Sequence, residues 1–210
     1  MKDKLALAKV VPVLVFPDAA YAVPTAHALD DGGLTILEIT LRTDTAWKAL
    51  DDIVAAQPDA IVGIGTVLKQ DQLTRAKEAG AQFAVSPGFD PDLAAEAAAL
   101  DLFYLPGVAT ASEVMSAQRA GLRLLKFFPA EAAGGRAMLQ SFASPFGEIE
   151  FCPTGGIGPE NMMDYLNLPN VACVGGSWVA SMSDMQAGDW AGIERKARDA
   201  AALSLTRARS

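Results

Sequence analysis

Apolar residues gather in short runs of about four to eight positions that recur roughly every 20 to 27 residues, with segments of helical spacing between them. The runs predicted as strands are Val11–Phe16, Leu34–Leu41, Ala60–Gly65, Phe83–Ser86, Leu102–Leu105, Leu122–Phe128, Ile149–Pro153 and Val171–Gly175. Ala/Leu-rich stretches such as Pro91–Leu100 lie between them and read as helices. Gly32-Gly33, Gly80 and Gly121 stand where those helices should end. Pro24 interrupts the first helical segment and predicts a kink or restart. Eight βα units predict an α/β fold, a single (β/α)8 TIM barrel over residues 1–210, with a helical tail from about Asp189. An open doubly wound sheet is the alternative. It places a glycine-rich fingerprint after the first strand, where this chain reads Phe16-Pro17-Asp18-Ala19.

Composition narrows the chemistry such a barrel can carry. The chain has 210 residues, 51% of them hydrophobic and 20% charged, enough to bury a sizeable core. A net charge of −8 argues against a nucleic-acid partner, since phosphate backbones demand a basic face. No apolar run approaches a membrane span and the start, Met1-Lys2-Asp3-Lys4, lacks a secretory apolar region, which predicts a cytoplasmic protein with no membrane partner. Cys152 and Cys173 fall in strand-like runs without metal spacing and read as reduced core thiols. His27 is the one histidine, in a helix-like stretch that favours a solvated face, so a metal site built on several histidines is excluded.

Against that background Lys126 stands out. Of eight lysines, it alone lies inside an apolar strand, Leu122-Arg123-Leu124-Leu125-Lys126-Phe127-Phe128-Pro129. An apolar setting disfavours an ammonium, and a neutral amine attacks carbonyls, the requirement of a Schiff-base lysine. The bland alternative is a strand-end lysine snorkelling to water. On the second strand Glu38, Thr40 and Arg42 share one face by the period of two. A carboxylate there needs a cation, and Lys126 and Arg42 are both available; a structural Glu38–Arg42 pair is open at this point.

The loops add two further signals. The third strand ends Gly63-Ile64-Gly65-Thr66-Val67, where strand glycines mark a close approach and Thr66 suits either a carboxylate or a helix N-cap. Ser86-Pro87-Gly88 and Leu105-Pro106-Gly107 read as turns. Thr154-Gly155-Gly156-Ile157 and Val174-Gly175-Gly176-Ser177-Trp178 follow the last two strands, where barrels frequently bind phosphate. Paired glycines expose backbone N–H groups, and adjoining helix N-termini would add positive potential.

Taken together, Val13-Leu14-Val15, Leu37-Glu38-Ile39-Thr40-Leu41-Arg42-Thr43, Gly63-Ile64-Gly65-Thr66-Val67-Leu68, Lys126-Phe127-Phe128-Pro129-Ala130-Glu131, Phe151-Cys152-Pro153-Thr154-Gly155-Gly156-Ile157 and Val174-Gly175-Gly176-Ser177-Trp178 resemble one known family. It is that of the 2-keto-3-deoxy-6-phosphogluconate aldolases, many of which also act on 4-hydroxy-2-oxoglutarate. The likeness runs in order over about residues 10 to 180. It implies that Lys126 forms a Schiff base with the substrate's keto carbon, that Glu38 moves protons, and that Arg42 and Thr66 hold the substrate carboxylate. It implies further that Thr154 lies near the 4-hydroxyl, where galacto-configured relatives carry an apolar residue, and that Gly155, Gly156, Gly176 and Ser177 cradle the phosphate. The partner implied is a phosphorylated 2-keto acid cleaved to pyruvate and glyceraldehyde 3-phosphate, as in the Entner–Doudoroff pathway, with no cofactor, no metal and a homotrimeric assembly.

That chemistry suits the residues. Breaking C3–C4 of a 2-keto acid leaves a carbanion equivalent, and a protonated imine is an electron sink for it. The rivals are a phosphogalactonate aldolase, a phosphosugar isomerase that needs no imine, and a non-catalytic phospholigand-binding barrel.

Overall fold

The apolar runs become parallel strands because each is bounded by a helix on either side, so that neighbours can pair only in the same direction. The computed structural model describes residues 1–56 and 59–205; positions 206–210 of the predicted tail lie outside them. The strands are β1 (Val10–Leu14), β2 (Ile36–Thr40), β3 (Ile61–Gly65), β4 (Phe83–Val85), β5 (Phe103–Leu105), β6 (Gly107–Val108), β7 (Leu124–Phe127), β8 (Glu150–Pro153) and β9 (Val174–Gly176). The helices are α1 (Lys2–Ala8), α2 (Ala22–Asp31), α3 (Ala46–Ala56), α4 (Gln70–Glu78), α5 (Pro91–Ala99), α6 (Ala111–Arg119), α7 (Gly135–Ala143), α8 (Met162–Leu166), α9 (Met182–Ala187) and α10 (Trp190–Leu205).

The sheet closes on itself. Strands run β5-β4-β3-β2-β1-β9 on one arc and β6-β7-β8 on the other. Bridges Phe151↔Val171 and Thr154↔Gly175 join β8 to β9, and β5 continues into β6 across Pro106. The ring therefore has eight strand positions, with β5 and β6 sharing one, and all eight runs expected from the sequence are strands.

Three local expectations are corrected. Leu105-Pro106-Gly107 is not a turn: Gly107 pairs with Lys126, and the Pro106 carbonyl accepts from Lys126 N at 2.8 Å. Pro106 breaks the strand assignment only because it has no N–H to give. Pro24 does not interrupt a helix, since α2 starts at Ala22 and places Pro24 in its first turn, where the missing donor is not needed. The segment before β1, for which no element was expected, is helix α1.

Alternation along the strands splits the apolar residues into two groups. Positions such as Leu37, Ile39, Leu125, Phe127 and Phe151 pack outward against the helices. Val11, Ile36, Phe83, Val85, Leu105, Leu124, Cys152 and Cys173 form a separate inner cluster, which Leu5 of α1 joins from the N-terminal end of the barrel. Both thiols are free and buried. A hydrogen bond with Cys152, and then burial, push the Cys173 thiol well above its usual value, which keeps it protonated and unreactive. The tail helix α10 packs on α2 so closely that a Cβ on Gly32 would lie 2.4 Å from that of Ala197.

Candidate active site

The inner face continues two residues beyond this apolar cluster, and there it turns polar. Glu38 follows Ile36, Lys126 follows Leu124 and Thr154 follows Cys152, each by one period of two. Lys126 and Thr154 stand at the C-terminal ends of β7 and β8, where barrel sites form, and Glu38 lies in the middle of β2. Lys126 is 5% exposed and Glu38 3%, and Nζ lies 3.1 Å from Oε1 and 3.5 Å from Oε2. The pairing question is thereby resolved in favour of Lys126 over Arg42, and the snorkelling alternative for Lys126 falls. Thr40, on the same face, donates instead to the Leu14 carbonyl at 2.8 Å.

Two glycines of β3 make room for this arrangement. A Cβ on Gly65 would lie 2.2 Å from Glu38 Oε1, and one on Gly63 would strike the Phe83 ring at 2.4 Å. The close approach read from the sequence is therefore by side chains. Thr66 follows with φ +64, a left-handed backbone unusual for a β-branched residue and of the strained kind found at functional sites. It is not a helix N-cap, because α4 opens at Gln70, with Lys69 at its cap.

A cavity of about 260 Å3 lies above the lysine. It is lined by Arg42, Thr66, Lys126, Thr154, Gly155, Gly156, Gly176 and Ser177, so eight of the nine expected residues converge on it. Glu38 is the ninth; it lies beneath and contacts the cavity through the amine of Lys126. In the ring, Thr66 on the β3 position stands opposite the Gly155-Gly156 loop after β8, with the lysine between them. An extended acid laid across the mouth would place one end on Arg42 and Thr66 and the other on the glycines.

Those glycines differ in kind. Gly155 and Gly156 have φ of +102 and +79, so the turn itself requires them. The second pair serves packing: a Cβ on Gly175 would meet Thr154 Oγ1 at 2.3 Å, and one on Gly176 would overlap the Trp178 ring. The helices do not adjoin either pair, since α8 opens only at Met162 and α9 at Met182. An anion at these glycines would therefore meet loop N–H groups and not helix N-termini.

Val13, Pro87, Phe128, Ile157 and Gly175 also line the cavity and were missed as site residues. Phe128, whose ring centroid is 5.4 Å from Nζ, could have been found by counting two on from Lys126. Ile157 follows directly on the paired glycines of the same loop.

The family model for KDPG and KHG aldolase matches residues 1–196. The chain belongs to the KDPG and KHG aldolase family. The KHG/KDPG aldolase of Escherichia coli (strain K12) is 49% identical over 191 residues, covering 91% of this chain and 90% of the relative. The KDPG aldolase of Legionella pneumophila, crystallised with pyruvate captured as a covalent carbinolamine, matches with a TM-score of 0.92 and 41% identity over 94% of this chain and 97% of that one. The 2-keto-3-deoxy-6-phosphogluconate aldolase of Zymomonas mobilis ZM4, crystallised with 3-phosphoglycerate, matches at 0.91 and 48% over 96% and 95%. For this aldolase the fold is thereby that of the family's barrels, and the lysine–glutamate pair is the chemistry to account for.

Proposed function

We propose that this chain cleaves 2-keto-3-deoxy-6-phosphogluconate to pyruvate and glyceraldehyde 3-phosphate through an imine on Lys126, and acts on 4-hydroxy-2-oxoglutarate by the same route. The observation that carries the reading is the buried Lys126–Glu38 contact at the cavity floor. Lys126 Nζ adds to the C2 carbonyl, and loss of water from the carbinolamine gives the imine. Glu38, 3.1 Å from the amine, supplies and takes up the protons of that dehydration. Removal of the C4 hydroxyl proton then lets the C3–C4 electron pair flow into the iminium, releasing the aldehyde. Protonation of the enamine at C3 and hydrolysis return pyruvate and the free lysine.

The carboxylate end of the substrate lies on Arg42, whose planar fork suits two parallel hydrogen bonds, and on Thr66. Thr154 meets the 4-hydroxyl. The phosphate lies on Gly155, Gly156, Gly176 and Ser177. Pyruvate bound covalently in the Legionella relative and 3-phosphoglycerate in the Zymomonas relative support the two halves of this assignment. The E. coli relative carries both substrate names, which supports the shorter acid as a second substrate. A homotrimer belongs to the same reading and is checked by sedimentation.

Borohydride with pyruvate tests it. Peptide mapping should find a reduced pyruvyl adduct on Lys126 and on no other lysine. An enzyme that turns over without any trapped adduct would sink the imine.

A further inference from the structure

The loop after β8 is held from behind by residues that never touch the cavity. The Gly155 carbonyl accepts from Glu131 N at 3.1 Å, and the Gly156 carbonyl accepts from Asn161 Nδ2 at 2.9 Å. Asn161 also accepts, through Oδ1, the Gly158 N–H at 2.8 Å. Neither Glu131 nor Asn161 lines the cavity, whereas Gly155, Gly156 and Ile157 do. In a trans peptide the C=O and the following N–H point in opposite directions. Turning the Gly155 carbonyl toward Glu131 therefore turns Gly156 N–H away from it. Turning the Gly156 carbonyl toward Asn161 does the same for Ile157 N–H.

The backing is in direct contact with the loop. A Cβ on Gly156 would lie 2.5 Å from Glu131 Cγ, so the glutamate stem abuts the loop directly. Its carboxylate accepts from the buried Tyr165 hydroxyl. Burial, and then Glu131, hold the Tyr165 phenol far above its usual value, so it remains a donor at working pH.

We propose that Asn161 is a positioning residue for recognition of a phosphomonoester: by tying down Gly156 C=O and Gly158 N–H it aims the Ile157 N–H into the cavity as an anion donor beside Gly156 N–H. This rests on the phosphate reading above. Backbone N–H groups hold an anion best when their direction is fixed in advance, as it is where the carbonyl of the same peptide is tied elsewhere. Ile157 thereby joins the phosphate site through its main chain.

Asn161→Asp keeps the shape and the acceptor for Gly158 but cannot donate to Gly156. It should lose about ten-fold in kcat/KM on the phosphorylated acid, the worth of one such bond, with the loss in KM. Inhibition by inorganic phosphate should weaken by a similar factor, while kcat/KM on 4-hydroxy-2-oxoglutarate and the melting temperature stay near wild type. Equal loss on both substrates, or loss on neither, would overturn the role of Asn161. Asn161→Ser asks the same question with a shorter neutral group should the first variant fail to fold. Wild-type enzyme supplies the separation: if inorganic phosphate does not compete there, the phosphate reading itself falls, and if it competes there and equally in the variant, only Asn161 falls.

Discussion

Glu38 and Lys126 belong to strands on opposite sides of the barrel ring, 88 residues apart in the chain, yet their charged atoms meet at 3.1 Å across the barrel axis. No local geometry brings them together; only closure of the sheet does. The pair is buried and forms the upper limit of the inner cluster, so the same contact both completes the core and forms the floor of the site. Removing one partner from a buried pair costs about 3–5 kcal/mol, because the other charge is left without compensation. Variants at either position therefore need to keep hydrogen-bonding capacity if chemistry is to be separated from folding.

Lys126→Arg meets that condition. A guanidinium preserves the charge and the bond to Glu38 but forms no imine. Cleavage should fall to background while circular dichroism and melting remain near wild type. Pyruvate-dependent inactivation of this variant by borohydride would show that the nucleophile lies elsewhere.

Glu38→Gln should behave differently. The amide keeps a contact with Nζ but cannot cycle a proton, so turnover should drop by about 10²–10⁴ while the imine remains trappable at a reduced rate. Exchange of the pyruvate methyl protons, followed by NMR in deuterated water, is the check. Exchange at the wild-type rate would remove Glu38 from the proton path.

Gly65→Ala should reproduce much of the Glu38 phenotype without touching either charged residue. Its Cβ would need the place of Glu38 Oε1, 2.2 Å away, so the carboxylate must leave Nζ. Overpacking of this kind typically costs about 1–3 kcal/mol. Both a lower melting temperature and slower turnover are expected, measured side by side. A stable, fully active Gly65→Ala enzyme would mean that the position of the carboxylate is not critical.

The strands were legible because each is a short apolar run, and all but Leu34–Leu41 are closed by glycine or proline; Lys126 was legible because it breaks such a run. Glu38 was readable on its face, but its partner was not, since period two fixes a face and leaves open what stands across the barrel. The Pro106-Gly107 misreading shows the limit of turn chemistry: the pair sits in the ladder because β6 must pair with β7 for the ring to close. At Gly175-Gly176 the sequence shows the paired glycines but not their packing, in which Thr154 and Trp178 fill the space of both missing side chains. Asn161 carried no signal, because it stands behind the loop and does not line the cavity.

Gly156→Ala tests the phosphate end, and the structure changes the reason for its effect. A side chain there would not project into the cavity; it would meet Glu131 Cγ at 2.5 Å and would hold a left-handed φ of +79. The left-handed backbone alone costs about 1–2 kcal/mol for a residue with a Cβ. The loop must shift, carrying Gly156 and Ile157 N–H with it. Losing two charge-assisted bonds of about 1.5 kcal/mol each implies roughly a 10²-fold fall in kcat/KM on the phosphorylated acid. On 4-hydroxy-2-oxoglutarate, which lacks that group, the fall should be no greater than the general loss of folded enzyme, measured by borohydride titration of active sites. Equal losses per active site on the two substrates would assign the glycine to the fold alone.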